Sequence, residues 1–170
     1  MRIHVLIAAI LAATVSTASA ANLSKIKEWT GGEPPPLAVE DLDGQQRELS
    51  HYRGKVVVLN FWATWCAPCI EEMPAFERLA AQLAVEPFAL VTVNFGEKPS
   101  RITPFLKKFD VDIPVLLDTK MKVSKAWVKR GLPTTFIIDG DQSIRYQVLG
   151  EIEWDAPEVV AKIRELLPAP

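Results

Sequence analysis

The chain of 170 residues carries only two cysteines, Cys66 and Cys69, and only two histidines, His4 and His51. So few cysteines exclude a small scaffold held together by several disulfides. Beyond the first twenty residues, two Cys and His51 fall short of the four ligands of a tetrahedral Cys/His zinc site. Covalent haem would need a His directly after the second Cys, and Ile70 stands there. An excess of one charge is also missing. With 19 basic and 21 acidic residues the formal net charge is −2, without the basic face that nucleic-acid binding needs. No internal repeat is visible. What is present is an ordinary globular composition, 49% apolar and 24% charged, which excludes a disordered or collagen-like chain.

Residues 1–20 read as a signal peptide. Arg2 gives a positive start, Val5 to Ala13 is an apolar run, and Ala18-Ser19-Ala20 supplies a small-x-small cleavage pattern. The alternative is a retained anchor, since no Asp, Glu, Lys or Arg occurs from Ile3 to Leu23. Thr14, Ser16, Thr17 and Ser19 make its second half polar, however, whereas a spanning helix takes about 20 strongly apolar residues. No Cys follows the small residues, which disfavours a lipoprotein. Export places the two cysteines outside the reducing cytosol, where they can exist as a disulfide. Cleavage after Ala20 leaves about 150 residues, enough to bury roughly two-thirds of the surface of the open chain in one core.

Residues 21–36 are weakly patterned, contain Gly31-Gly32 and Pro34-Pro35-Pro36, and read as an extended spacer. Residues 37–168 then form a single α/β domain. Asp43-Gly44 marks a hairpin between Leu37–Glu40 and Arg47–Leu49. Lys55–Trp62 and Phe88–Phe95 are near-continuous apolar runs, the pattern of strands covered on both faces. A helix should follow the cysteines, with Ile70, Met73, Phe76, Leu79 and Leu83 inward and Glu71, Glu72, Glu77 and Arg78 outward, kinked by Pro74 inside the inward stripe. Pro99–Phe109 predicts a helix, Val115–Leu117 a short strand, and Asp118–Arg130 a second helix stopped by Gly131. Strands around Asp139-Gly140 and a last helix that opens at Asp155-Ala156-Pro157-Glu158 complete the order. This alternation predicts a central, mostly parallel sheet with helices on both faces, closed by an antiparallel hairpin.

The chemistry lies in Trp65-Cys66-Ala67-Pro68-Cys69, which leaves the first central strand and opens a helix. Cysteines three apart at a helix start can form a disulfide. Cys66 sits where unpaired N–H groups and the helix dipole favour a thiolate, the reactive form. Cys69 lies a turn further in and can resolve a mixed disulfide. Pro68 has no N–H to lose in that first turn. Asn60, in the middle of an apolar strand, needs hydrogen-bond partners and reads as a structural amide. Glu97 follows the second central strand at the same sheet edge as Cys66. A partly buried Glu there would titrate high and could exchange a proton with Cys69; an ordinary surface or helix-capping Glu fits equally well. Pro133 directly precedes a strand, and a cis Leu132–Pro133 bond is one way to make that join.

Five segments carry a resemblance. They are Asn60-Phe61-Trp62-Ala63-Thr64-Trp65-Cys66-Ala67-Pro68-Cys69, Glu72-Met73-Pro74, Val93-Asn94-x-Gly96-Glu97, Pro114-Val115-Leu116-Leu117-Asp118, and Leu132-Pro133-Thr134-Thr135-Phe136-Ile137-Ile138-Asp139. Together they resemble the TlpA/ResA branch of the thioredoxin-like superfamily, over about Pro36 to Leu167. The resemblance implies a thioredoxin-like fold: a central mixed sheet with helices on both faces, an N-terminal β-hairpin and an inserted strand-helix segment. It implies an extracytoplasmic thiol–disulfide oxidoreductase in which Cys66 is the nucleophile, Cys69 the resolving thiol, Pro133 a cis-proline and Glu97 the active-site acid. Trp65, Pro68 and Leu132 flank these positions and are expected to touch the substrate. Thioredoxin itself has a buried aspartate where Asn60 stands, and Glu97 is the expected substitute. Many relatives carry a charged residue at the position of Ala67.

The expected function is reduction of disulfides in selected exported proteins, such as apocytochrome c or copper-site cysteines, with electrons from a membrane dithiol donor. The site is periplasmic, with a membrane tether as the alternative if residues 1–20 are retained. No metal or cofactor is expected. Two other readings use the same cysteines. A Cu(I) metallochaperone would suit soft thiolates, although no Met or His cluster surrounds the motif. A thiol peroxidase is the other, although the chain lacks a Thr-x-x-Cys nucleophile site.

Overall fold

The computed structural model describes residues 19–168. The expected signal peptide lies outside the described residues except for Ser19 and Ala20, which begin a helical stretch over 19–25. From there the elements run β1 (Ile26–Glu28), β2 (Ala38–Asp41), β3 (Gln46–Glu48), a 3-10 turn (Leu49–Tyr52), β4 (Val56–Trp62), α1 (Ala67–Gln82), β5 (Phe88–Phe95) and α2 (Pro99–Phe109). They continue with β6 (Val115–Asp118), α3 (Lys122–Trp127), β7 (Thr134–Ile138), β8 (Ile144–Leu149) and α4 (Pro157–Arg164).

The strands form one sheet in the order β1-β8-β7-β4-β5-β6-β2-β3. Every residue of β4 is buried, because the strand lies in the middle of the sheet with packed side chains on both faces. Its side chains alternate: Val56, Val58 and Trp62 join the core under α1, α2 and α4, while Val57, Leu59 and Phe61 join the core under α3. Asn60 falls on the α1 side by the same period. On the other face Trp127 of α3 packs against Phe61 and Phe136, at ring separations of 5.9 and 5.1 Å.

Only β4–β5 and β5–β6 are parallel. The expectation of a mostly parallel sheet is corrected to a mixed one, since β7 returns antiparallel beside β4 and hairpins extend both edges. The expected spacer is corrected in part. Ile26–Glu28 pairs antiparallel with β8, and Trp29 packs edge-on against Phe136 at 5.5 Å. Three residues with one buried Ile are too short for a periodic signal, so the strand shows only where an open sheet edge accepts it.

Three helix readings also change. Pro74 is exposed rather than within the buried stripe, and α1 runs through it. The helix expected over 118–130 shrinks to Lys122–Trp127. The Asp118 carboxylate does accept from the backbone N–H groups of Lys122 and Ser124, but the buried Trp127 anchors the helix end and Val128 is already extended. The last helix is capped by the Ala156 backbone. Asp155 is drawn instead to Arg78 at 2.6 Å.

Candidate active site

Cys66 is the N-cap of α1, with extended backbone angles, and its N–H donates to the Ala63 carbonyl at 3.1 Å. That turn lifts the chain off the end of β4 and aims the cysteine at the helix N-terminus. Cys66 and Cys69 form a disulfide with Cα atoms 5.3 Å apart. Both are buried, Cys69 more deeply, whereas the neighbouring Trp65 is 63% exposed. Thus Cys66 stands where free N–H groups favour a thiolate, Cys69 lies behind it, and an aromatic surface stands beside the pair.

Register brings the fourth expected residue to the same edge. Phe61 of β4 pairs with Thr134 of β7, so Leu132 and Pro133 sit across from the end of β4 where the Ala63–Cys66 turn departs. The Leu132–Pro133 bond is cis. Leu132 is partly buried against the core that contains both cysteines.

Glu97 also reaches this edge, but its environment is the reverse of the one expected. Its Oε2 accepts from the Thr64 N–H at 2.7 Å and Asn94 Nδ2 at 2.9 Å. Its Oε1 accepts from the Thr64 hydroxyl at 2.6 Å and from Arg101 Nε at 2.9 Å. Burial by itself would raise its pKa, yet the donors from Thr64, Asn94 and Arg101 outweigh it and hold the carboxyl below its ordinary value. The expected upward shift is therefore corrected to a downward one. Glu97 is an ionised anchor that pins Thr64, two residues before Cys66.

The group that fits the proton-carrying role is one the sequence reading placed outward. Glu72 lies three residues after Cys69 on α1, on the same helix face, and is only 2% exposed. Its Oε1 accepts from Asn60 Nδ2 at 2.9 Å, and its Oε2 from Trp154 Nε1 at 2.8 Å. Asn60 Nδ2 also donates to Thr135 Oγ1 at 2.9 Å, which fixes the amide. Burial pushes the Glu72 carboxyl up to about 8, against the lowering pull of the Trp154 and Asn60 hydrogen bonds, and the nearby negative Glu151 adds to the rise. The signal was present in the sequence: Glu72 sits one position before Met73 at the inward edge of the helical stripe, a turn from Cys69, over a strand with a polar Asn60.

A cleft of about 1080 Å³ opens beside Glu72, lined among others by Glu71, Ala75 and Arg78 of α1 and Ile152, Glu153 and Asp155 after β8. Among the described residues no group of three or more His, Cys, Asp or Glu side chains is placed to hold a metal ion. The arrangement can carry out thiol–disulfide exchange. An outer sulfur can attack, an inner sulfur can resolve, and a buried carboxyl with a pKa pushed up to about 8 lies one helical turn after the inner one.

Residues 30–147 match the AhpC/TSA family. The chain is 38% identical over 137 residues to the thiol-disulfide oxidoreductase ResA of Bacillus subtilis (strain 168), covering 81% of this chain and 75% of that protein. It is 35% identical over 120 residues to the ResA of Geobacillus thermodenitrificans (strain NG80-2), covering 71% and 69%. A crystal structure from Chlorobium tepidum, assigned to thiol:disulfide interchange protein DsbE, superposes with a TM-score of 0.74 at 28% identity, over 84% of this chain and all of that one.

Proposed function

The chain belongs to the AhpC/TSA family and is a ResA-like thiol–disulfide oxidoreductase, and from that premise we propose that it works outside the cytoplasm, reducing disulfides of selected exported proteins. Its substrates are then proteins such as apocytochrome c or those with copper-site cysteines, and its electrons come from a membrane dithiol donor. The export pattern of residues 1–20 supports the location.

The observation that carries the reading is the succession of roles at one helix start: Cys66 at the N-cap of α1, Cys69 behind it, and the buried Glu72 one helical turn after Cys69. In the reduced protein the Cys66 thiolate attacks one sulfur of the substrate disulfide. A mixed disulfide forms and the other substrate sulfur leaves as a thiolate. Cys69 then loses its proton to the Glu72 carboxylate and attacks the Cys66 sulfur, which releases the second substrate sulfur and closes the Cys66–Cys69 bond. Two electrons pass to the substrate, and the proton on Glu72 returns to solvent. Trp65, Pro68 and Leu132 form the surface around the pair that a substrate chain meets, with Pro133 buried at its edge.

Equilibration of the pair in dithiothreitol or glutathione buffers tests the direction. A reduction potential in the range of known disulfide reductants, about −270 mV or nearby, supports the reading, and one near the strong oxidants, about −120 mV, reverses it.

A further inference from the structure

We propose that Trp154 is a positioning residue for disulfide exchange, its indole N–H fixing the orientation of the Glu72 carboxyl one helical turn after Cys69. The proposal rests on the reading of Glu72 as the proton carrier given above.

Trp154 is fully buried and stacks on Phe76 of α1, with centroids 5.0 Å apart and planes at 21°. A phenylalanine would supply that stacking. The indole adds a buried N–H, which must find an acceptor, and the one it finds is Glu72 Oε2 at 2.8 Å. The donor is held rigidly from both sides. Before it, Lys25 Nζ donates to the Glu151 carbonyl at 2.7 Å, and the Glu153 N–H donates to Asn22 Oδ1 at 3.3 Å. After it, Arg78 clasps the Asp155 carboxylate with two bonds, at 2.6 and 3.2 Å. Glu72 is thereby gripped between β4, through Asn60, and the segment after β8, through Trp154.

A fixed donor favours the carboxylate over the neutral acid, so the indole opposes the burial that keeps Glu72 protonated. The other charged groups around the cleft are mostly paired off. Arg78 is bound to Asp155, Lys25 lies 3.6 Å from Glu151, and Glu158 accepts from Asn22. Glu71 and Glu153 remain, both exposed. From α1 itself Cys69 is tied in the disulfide here and becomes a titrating neighbour of Glu72 on reduction, and from the sheet Glu72 meets the neutral Asn60 and, behind it, Thr135. Trp154 is thus the neutral side-chain donor with which this chain tunes Glu72 from outside the sheet, beside the Ile152 backbone N–H of the same segment.

The experiment compares pH–rate profiles of wild type, Glu72→Gln and Trp154→Phe, all reduced, with insulin as the disulfide substrate. In wild type the rate rises with pH along a limb produced by Glu72 ionisation, and Glu72→Gln removes that limb. In Trp154→Phe the limb moves upward by about one pH unit, the size expected for losing one hydrogen bond to a charged acceptor. A limb that stays in place in Trp154→Phe but vanishes in Glu72→Gln overturns the role of Trp154 alone. A limb that survives in Glu72→Gln overturns the role of Glu72 and the proposal with it. Should Trp154→Phe not fold, the wild-type protein decides. The Trp154 indole 15N–1H resonance, assigned by its loss in a Trp154-substituted or selectively labelled sample, must titrate with the Glu72 midpoint. An indole signal that does not move across that midpoint overturns the proposal.

Discussion

Asn60 Nδ2 stands 2.9 Å from Glu72 Oε1, joining the centre of β4 to the helix that begins with Cys66. The amide supplies a donor without a charge. It therefore leaves the carboxyl free to titrate under the control of burial, which pushes it up to about 8. Folding stability should follow. A carboxyl that titrates near 4.5 unfolded and higher when folded binds more protons in the native state between those limits. Its favourable contribution is complete below the unfolded value and is lost as pH rises through the folded one. For the oxidised protein the slope approaches about −1.4 kcal/mol per pH unit within that window. Glu72→Gln should flatten that slope, whatever its absolute stability, in urea unfolding series at pH 5, 6, 7 and 8.

Placing a second carboxyl at the Asn60 position should deepen the effect. In Asn60→Asp the two acids sit within hydrogen-bond distance and share one proton, so the pair titrates with separated apparent values. Loss of the last shared proton then leaves two buried anions in contact. The variant should be nearly as stable as wild type near pH 5 and lose stability more steeply than wild type above pH 7. A slope no steeper than that of wild type would mean that water enters the site and screens the pair.

The sheet was largely legible from the sequence because buried strands announce themselves. The runs around Val56–Trp62 and Phe88–Phe95, and the hairpins at Asp43-Gly44 and Asp139-Gly140, fall where the strands do. Cys66 and Cys69 were legible for a similar reason: a strand, two cysteines and a helix in succession define one edge. Glu72 reads outward because of its charge, although its spacing from Cys69 and Phe76 puts it at the inward edge of the stripe; only a donor pair from distant segments makes an inward carboxyl tolerable. One of those donors is Trp154, 82 residues away. Glu97 was placed at the right edge and given the wrong shift. Asn94 and Arg101 stand within four residues of it, but Thr64, which donates twice, comes from 33 residues away and meets it only in the folded protein. β1 escaped notice because three residues carry no period.

Glu97→Gln should separate anchoring from proton transfer. With the carboxyl held below its ordinary value, Glu97 contributes stability that is present above the carboxylate range and lost as pH falls through its folded value. The amide keeps one acceptor and loses the ion pair with Arg101. A loss of about 1–3 kcal/mol at neutral pH is expected, in the range for hydrogen bonds to a charged group. The pH position of the exchange limb should not move. Denaturant melts and the insulin-reduction profile, measured on the same preparation, check both halves.

Trp65 presents the largest exposed aromatic surface beside the disulfide, 63% open to solvent. If it contacts folded or partly folded substrates, Trp65→Ala should lower kcat/KM for a protein disulfide by about 10–30-fold, the scale of losing one aromatic anchor. The rate with a small aromatic disulfide reagent should change little, because that reagent needs only access to Cys66. Equal losses on both substrates would place Trp65 in shaping the cysteine site itself.

The order of attack is the sharpest test of the site. Cys66 opens α1 at its N-cap, where the unpaired N–H groups of the first turn stabilise a thiolate; Cys69 lies a turn deeper and 1% exposed. An incoming disulfide therefore meets Cys66 first, and the mixed disulfide is released only when Cys69 attacks the Cys66 sulfur. Removing the resolving thiol stalls the reaction at the mixed disulfide. Cys69→Ser should accumulate covalent complexes with protein substrates, visible as reducible bands on non-reducing gels. Cys66→Ser, left with only the shielded thiol, should trap few or none. The trapped partners, identified by mass spectrometry of the reduced bands, also test the substrate class, since exported proteins with paired cysteines should dominate. Equal trapping by the two variants would show that Cys69 is as accessible to substrate as Cys66 and would overturn the assignment of nucleophile and resolving thiol.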